Sequence, residues 1–134
     1  RTAREMGITN RLDPEQSVRA GVKYLNRLYE RWDELSKRDR MKFALASYNI
    51  GYGHVRDAQK LASQNGYSQE EWTGLKKALP LLRIKEYYQQ TRYGYARGTE
   101  PVRYVKRIMK YYSILKQRED VASDEKSRAA APDG

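Results

Sequence analysis

Cysteine is absent from the 134 residues, so no disulfide framework, thiolate metal site or thiol nucleophile is available. Histidine occurs once, as His54. That excludes a multi-histidine metal site and a histidine-based triad built from this chain alone. No apolar run approaches the ~20 residues needed to cross a bilayer, and no signal-like apolar segment follows Arg1. The opening RTAREMGI has no Met before it, and is expected to be the interior of a longer or processed chain. Phenylalanine also occurs once, against twelve tyrosines.

What is present is charge and tyrosine. The formal net charge is +10, with an isoelectric point near 9.8. A basic solvated surface accounts for this, as does attraction to a polyanion such as nucleic acid, acidic lipid headgroups or an anionic cell-wall polymer. Tyrosine combines a flat apolar face with a hydroxyl. It suits stacking on sugars or bases, although half-buried packing is its ordinary use.

Helical spacing dominates, no strand pattern or repeat is evident, and the class is all-α. Asp13-Pro14-Glu15-Gln16 reads as an N-cap, first-turn proline and reciprocal Gln. It opens a helix to about Trp32 with Val18, Val22, Leu25, Tyr29 and Trp32 inward. A second helix is expected over 37–50, with Met41, Ala44, Leu45 and Tyr48 on one stripe. A third is expected over 54–65, ended by Gly66. Ser68-Gln69-Glu70-Glu71 reads as a capping box before a short helix that Pro80 ends. Residues 85–98 are rich in tyrosine without a period, with room for a short hairpin near 93–97. The last helix is expected over 99–117, with Pro101 in its first turn and Val105, Ile108, Met109 and Tyr112 inward. The domain is taken as 1–118, incomplete at its N-terminus, and 119–134 as a disordered tail.

One stretch resists a purely structural account. ALASYNIGYGHV, residues 44–55, ends a helix on a phenol, a carboxamide and two glycines. Gly51 suits a left-handed C′ residue, and Asn49 a satisfied polar group beside it. The same residues also present one acceptor and two donors next to an aromatic face. That set matches an N-acetylated sugar, whose amide needs both kinds of partner while its ring stacks.

The stretch ALASYNIGYGHVRDA resembles the alanine-tyrosine-asparagine-hydrophobe-glycine motif of lytic transglycosylases with a goose-type-lysozyme-like (SLT) domain. Three further matches follow in order: TAREMGI, RLDPEQSVRAGVKYLNRLYERW and RYGYARGTEPVRYVKRI. The tract LPLLRIKEYYQQTRYGYARG points within that family to the membrane-bound lytic transglycosylase F subgroup. The resemblance implies an all-α, lysozyme-like domain, of which this chain is the C-terminal majority. It implies cleavage of the MurNAc-β-1,4-GlcNAc bond of peptidoglycan strands, leaving 1,6-anhydromuramoyl ends, with no metal or organic cofactor. It further implies a periplasmic location, with outer-membrane attachment of the parent.

By the same resemblance Tyr48, Asn49 and Tyr104 bind substrate, with Gly51, His54, Tyr95 and Glu100 as further candidates. The family's general acid/base glutamate belongs to a glutamate-serine motif expected upstream of Arg1, so no catalytic residue is assigned here. Glu100 is the foremost internal substitute, but a helix start favours a carboxylate whereas a general acid must begin protonated. Glu15, Glu70 and Glu71 read as first-turn charges, and Asp57 as a solvated or paired acid. The fragment is therefore expected to be inactive and to self-associate over its exposed apolar face. His54 is expected to make an orienting hydrogen bond. Trp32 and Trp72 are expected in the core, and Ser47 as a tolerated replacement for alanine. Arg103, Lys106, Arg107 and Lys110 give the last helix a basic side, either solvated or facing murein carboxylates. The rivals are a non-catalytic murein-binding module and a basic helical nucleic-acid-binding protein, the latter without any named motif.

Overall fold

A computed structural model describes residues 14–130. Six α-helices and one 3₁₀ helix order this part of the chain, with no strand among the described residues. TAREMGI and the expected N-cap Asp13 lie outside it.

Helix α1, Pro14–Arg31, begins on a proline whose fixed φ suits a first turn. It buries Ala20 and Leu28, with Trp32 fully buried just past its end, while Val18 and Val22 are 66% and 54% exposed. The inward face is thus rotated from the stripe that apolar spacing suggests. Small residues decide it. A Cβ on Gly21 would lie 2.9 Å from the Tyr48 hydroxyl, so the bare Ala20-Gly21 surface is where the next helix comes close.

That next helix, α2 (Lys37–Ile50), is central, packing against α1, α3, α4 and α6. Phe43 to Ser47 are all buried, so the middle of α2 has no solvent face, while Met41 and Tyr48 are exposed rather than inward. Trp32 packs edge-on against Phe43, with ring centroids 5.1 Å apart, and lies 4.9 Å from Tyr52. Its indole N–H donates to Ser47 Oγ at 2.9 Å, and that hydroxyl donates to the Phe43 carbonyl at 2.8 Å. Ser47 is therefore the partner of a buried donor, a role alanine could not fill.

Gly51 alone separates α2 from α3, Tyr52–Gln64. Its φ of 108° needs glycine as expected, but ψ is 141°, so the turn is not the left-handed helical one. Helix α3 consequently starts two residues before His54. It ends as expected: Gly66 has φ 77°, and the Tyr67 N–H reaches back to the Ala62 carbonyl at 2.8 Å, the Schellman pattern.

Helix α4, Trp72–Ala78, is not opened by a capping box, since Glu71 at its N-cap position makes no side-chain cap. The Trp72 N–H instead donates to Asp39 Oδ1 at 3.0 Å, and Ser36 Oγ donates to Asp39 Oδ2 at 2.9 Å. A buried carboxylate in the first turn of α2 thus satisfies the start of a helix 33 residues on. Pro80 does not stop the chain's helical course; it sits in the first turn of the 3₁₀ helix Leu79–Arg83, which leads to the short α5, Lys85–Tyr88.

Residues 89–98 form no hairpin. They are pinned by the Ala96 N–H on the Leu82 carbonyl and by Asp57, which accepts the N–H groups of Arg92 and Tyr93 at 3.2 and 2.9 Å. Asp57 is a buried paired acid, not a solvated one.

Helix α6, Thr99–Ala130, buries Pro101 and Val105 and half-buries Met109. Ile108 and Tyr112, expected inward, are 36% and 59% exposed. The helix runs past the Gln117 end read from its pattern and through most of the expected disordered tail. From Tyr111 to Ala129 every side chain is exposed, so only local backbone bonds and helix-favouring residues sustain it.

Candidate glycan-binding site

Tyr48 occupies the last turn of α2. Its ring lies 5.7 Å from that of Tyr24 on α1, tilted by 48°, with its hydroxyl over Gly21. Tyr104, half-buried on α6, has its ionisation pushed up first by burial and then by the Tyr48 phenol, with Arg107 pulling the other way. The two tyrosines expected to bind substrate are therefore electrostatic neighbours. Together with Tyr24 they make an aromatic row across α1, α2 and α6. Tyr24 was not among the expected site residues, although it lies in the matched stretch RLDPEQSVRAGVKYLNRLYERW.

Asn49 follows Tyr48, is exposed, and makes no side-chain hydrogen bond among the described residues. It is not a satisfied helix-end group. Its donors and acceptor are open to a ligand beside an aromatic face, the arrangement that a sugar carrying an amide requires.

Gly51 and His54 meet at the α2–α3 junction, where a Cβ on Gly51 would lie 3.8 Å from the imidazole. The expected orienting hydrogen bond is not made at Nδ1, which is buried without a partner among the described residues. His54 instead faces Tyr93 edge-on at 6.0 Å. The Tyr93 ring comes within 2.5 Å of where a Gly53 Cβ would be, so Gly53 is required for that packing.

Tyr95 and Glu100 are not drawn into this row by any contact. Tyr95 is half exposed and edge-on to Tyr88 at 5.7 Å. Glu100 is exposed in the first turn of α6, 4.0 Å from Arg103 and one turn before Tyr104. No three of His, Cys, Asp and Glu among the described residues lie close enough to hold a metal ion.

Two clefts flank the α2–α3 junction. One of about 510 Å³ runs from Tyr24 past Arg27 and Arg31 to Tyr52, and one of about 580 Å³ continues from Arg31 and Tyr52 to His54, Lys60 and Arg92. Tyr52 is their shared wall, clamped by the Arg31 guanidinium 3.6 Å above its ring and by Arg56 donating to its hydroxyl at 2.6 Å. Arg31 was not singled out from the sequence, because its stacking on Tyr52 joins separate helices.

The family model for the transglycosylase SLT domain matches residues 1–71, which include Tyr24, Tyr48, Asn49, Gly51 and His54. The chain belongs to this family. Its all-α architecture is the lysozyme-like class expected for an SLT domain. A membrane-bound lytic murein transglycosylase F of Desulfosudis oleivorans is 58% identical over 121 residues, 90% of this chain and 27% of the relative. The protein of that name from Shewanella loihica is 59% identical over 115 residues, 85% of this chain and 24% of its own. That from Shewanella oneidensis is 51% identical over 132 residues, covering 98% and 28%. The SLT chain described here thus spans about a quarter of the length of these relatives.

Proposed function

We propose that this SLT domain serves a peptidoglycan lytic transglycosylase that cuts the MurNAc-β-1,4-GlcNAc bond and leaves a 1,6-anhydromuramoyl end. The observation that carries the reading is the free Asn49 carboxamide beside Tyr48, which neighbours Tyr104. In this reading Tyr48 packs on a sugar ring, Asn49 exchanges hydrogen bonds with an acetamido group, and Tyr104 closes the row. Gly51 lets the backbone approach.

The chemistry needs one carboxyl that protonates the glycosidic oxygen and then, as carboxylate, takes the proton of the C6 hydroxyl as that oxygen closes on C1. The bond to the leaving sugar breaks, the anhydro bridge forms, and no water is consumed. The buried acids among the described residues are otherwise engaged, Asp39 with Trp72 and Ser36 and Asp57 with Arg92 and Tyr93. Glu100 is exposed beside Arg103. This supports a glutamate supplied by the parent outside the present residues. The names of the relatives support an envelope location, here read as the periplasmic face with attachment to the outer membrane; no helix among the described residues is long and apolar enough to cross a membrane.

The test is incubation of purified sacculi with the parent protein and, separately, with the 134-residue chain. The parent is expected to release 1,6-anhydromuropeptides and the chain none. Release by the chain would place the acid here, with Glu100 first in line. No release by the parent would refute the transglycosylase reading.

A further inference from the structure

Helix α6 carries two blocks of opposite charge that do not pair with each other. Residues 103–118 hold six arginines and lysines and no acid, whereas residues 119–125 hold four acids and no cation. Of these ten, Arg103 alone has a carboxylate near it, Glu100 at 4.0 Å. The other nine form no ion pair among the described residues.

The apolar residues of the same stretch are ordered too. Tyr111, Ile114, Leu115, Val121 and Ala122 recur at helical spacing, and all are exposed. Ile114 follows Val105 by nine residues, two and a half turns, so this strip lies opposite the side that Val105 seats on the core. A shallow recess in the strip is lined by Ile114, Gln117, Arg118, Val121, Ala122 and Glu125. Those residues form two overlapping sets at i, i+3, i+4 and i+7. Each set is the four-residue hole that takes a side chain from a facing helix in a coiled coil.

We propose that this strip pairs with the same strip of a second copy of the chain, as an antiparallel two-helix coiled coil. The charge order selects both the occupant and its direction. A parallel copy would lay acids on acids and cations on cations, whereas an antiparallel one lays each block on its opposite. A two-fold axis crossing near Lys116 sets Tyr111 against the second copy's Val121, and Ile114 against its Arg118. The same register brings Arg107 to the second copy's Glu125 and Lys110 beside its Asp124. Every contact then occurs twice, as an interface between identical patches requires. The seam is short and its ion pairs are open to solvent, so the pairing is weak. The dilute chain is a monomer with a lone extension, and the concentrated chain a dimer. The inference is independent of the transglycosylase reading.

The test is sedimentation equilibrium of the full chain from about 10 µM to about 1 mM, the range of weak association. A monomer–dimer equilibrium is expected, with amide exchange over 112–129 slowing as the dimer fills. Ile114→Gln/Val121→Gln weakens dimerisation by about tenfold or more while glutamine preserves helix propensity. Glu125→Arg and Arg107→Glu each weaken it about tenfold, and the two together restore it. Positions 107 and 125 stand ~27 Å apart along one helix, so only a contact between copies can give that rescue. All four side chains are exposed, and an unchanged melting temperature of the dilute variants verifies the fold. A chain that stays monomeric at about 1 mM would overturn the proposal. So would self-association indifferent to the glutamine pair, as a contact through the exposed Val18 and Val22 of α1 would be. Tightening by either single reversal, or no rescue by the pair, would refute the antiparallel seam.

Discussion

Ser47 ties the Tyr48-Asn49-Ile50-Gly51 stretch to the core. Its hydroxyl accepts from a fully buried indole N–H and donates its own hydrogen bond to the Phe43 carbonyl. Ser47→Ala strands the Trp32 donor, and an unsatisfied buried donor costs about 1–3 kcal/mol; urea unfolding is expected to show a loss of that size. Two residues further, the effect is opposite in kind. Asn49 is exposed and unpartnered, so Asn49→Ala leaves the urea midpoint unchanged or slightly raised, alanine being the better helix former. Under the proposed function it is expected to lower the parent's turnover by the loss of a ligand hydrogen bond, about 0.5–1.5 kcal/mol. A collapsed midpoint with normal activity per folded molecule would make Asn49 structural.

Tyr104 gives a pH signature at the same scale. Its proton is held more tightly in the folded chain than at the ordinary 10.0, because of burial and the neighbouring Tyr48. The unfolded chain therefore ionises first. The stabilising contribution is fully present below the ordinary value and is lost as pH rises from there through the raised one. The stability difference between wild type and Tyr104→Phe is expected to shrink, in the wild type's disfavour, above that point. A difference constant across alkaline pH would refute the coupling.

Among the elements, α6 is of two parts. Its first three turns are seated by Pro101, Val105 and Met109, while Tyr111 to Ala129 extend over ~30 Å with no buried side chain. An isolated helix of that length is marginal in water. Amide exchange beyond Tyr112 is expected to be fast, close to that of an unfolded peptide, with strong protection near Val105. Truncation after Gln117 leaves the unfolding midpoint in place. Helix α4 is the converse case: its seven residues are too few to stand alone, and the Asp39 carboxylate and the burial of Trp72 and Leu75 hold it.

For the whole molecule, a net charge of +10 implies long-range attraction to a polyanion, which under the proposed function is murein. Surface charge is screened over ~8 Å at physiological ionic strength and ~3 Å at 1 M. Binding of the chain to purified sacculi is expected to weaken steeply between those conditions. Retention unaffected by salt would assign the affinity to the tyrosine row alone.

Much of this molecule was legible in the order of its residues. The all-α class, the central span of α2, the Gly66 stop and the Tyr48-Asn49-Ile50-Gly51 motif all rest on local signals: backbone bonds close within a turn, and glycine alone tolerates the required φ. Family membership rests on the same ordered motifs. What only the tertiary structure decided involves residues far apart. Spacing along α1 placed Val18 and Val22 inward, but Tyr48's approach to Gly21 turned a different face to the core. The pattern at Ser68–Glu71 matched a capping box, but a buried Asp39 supplied a stronger acceptor from another helix. Periodicity records which residues share a face. Which face meets which neighbour, and hence the pairing of Tyr48 with Tyr24 and Tyr104 and the convergence of Arg31, Lys60 and Arg92 on one cleft, depends on close packing between helices that no local pattern encodes.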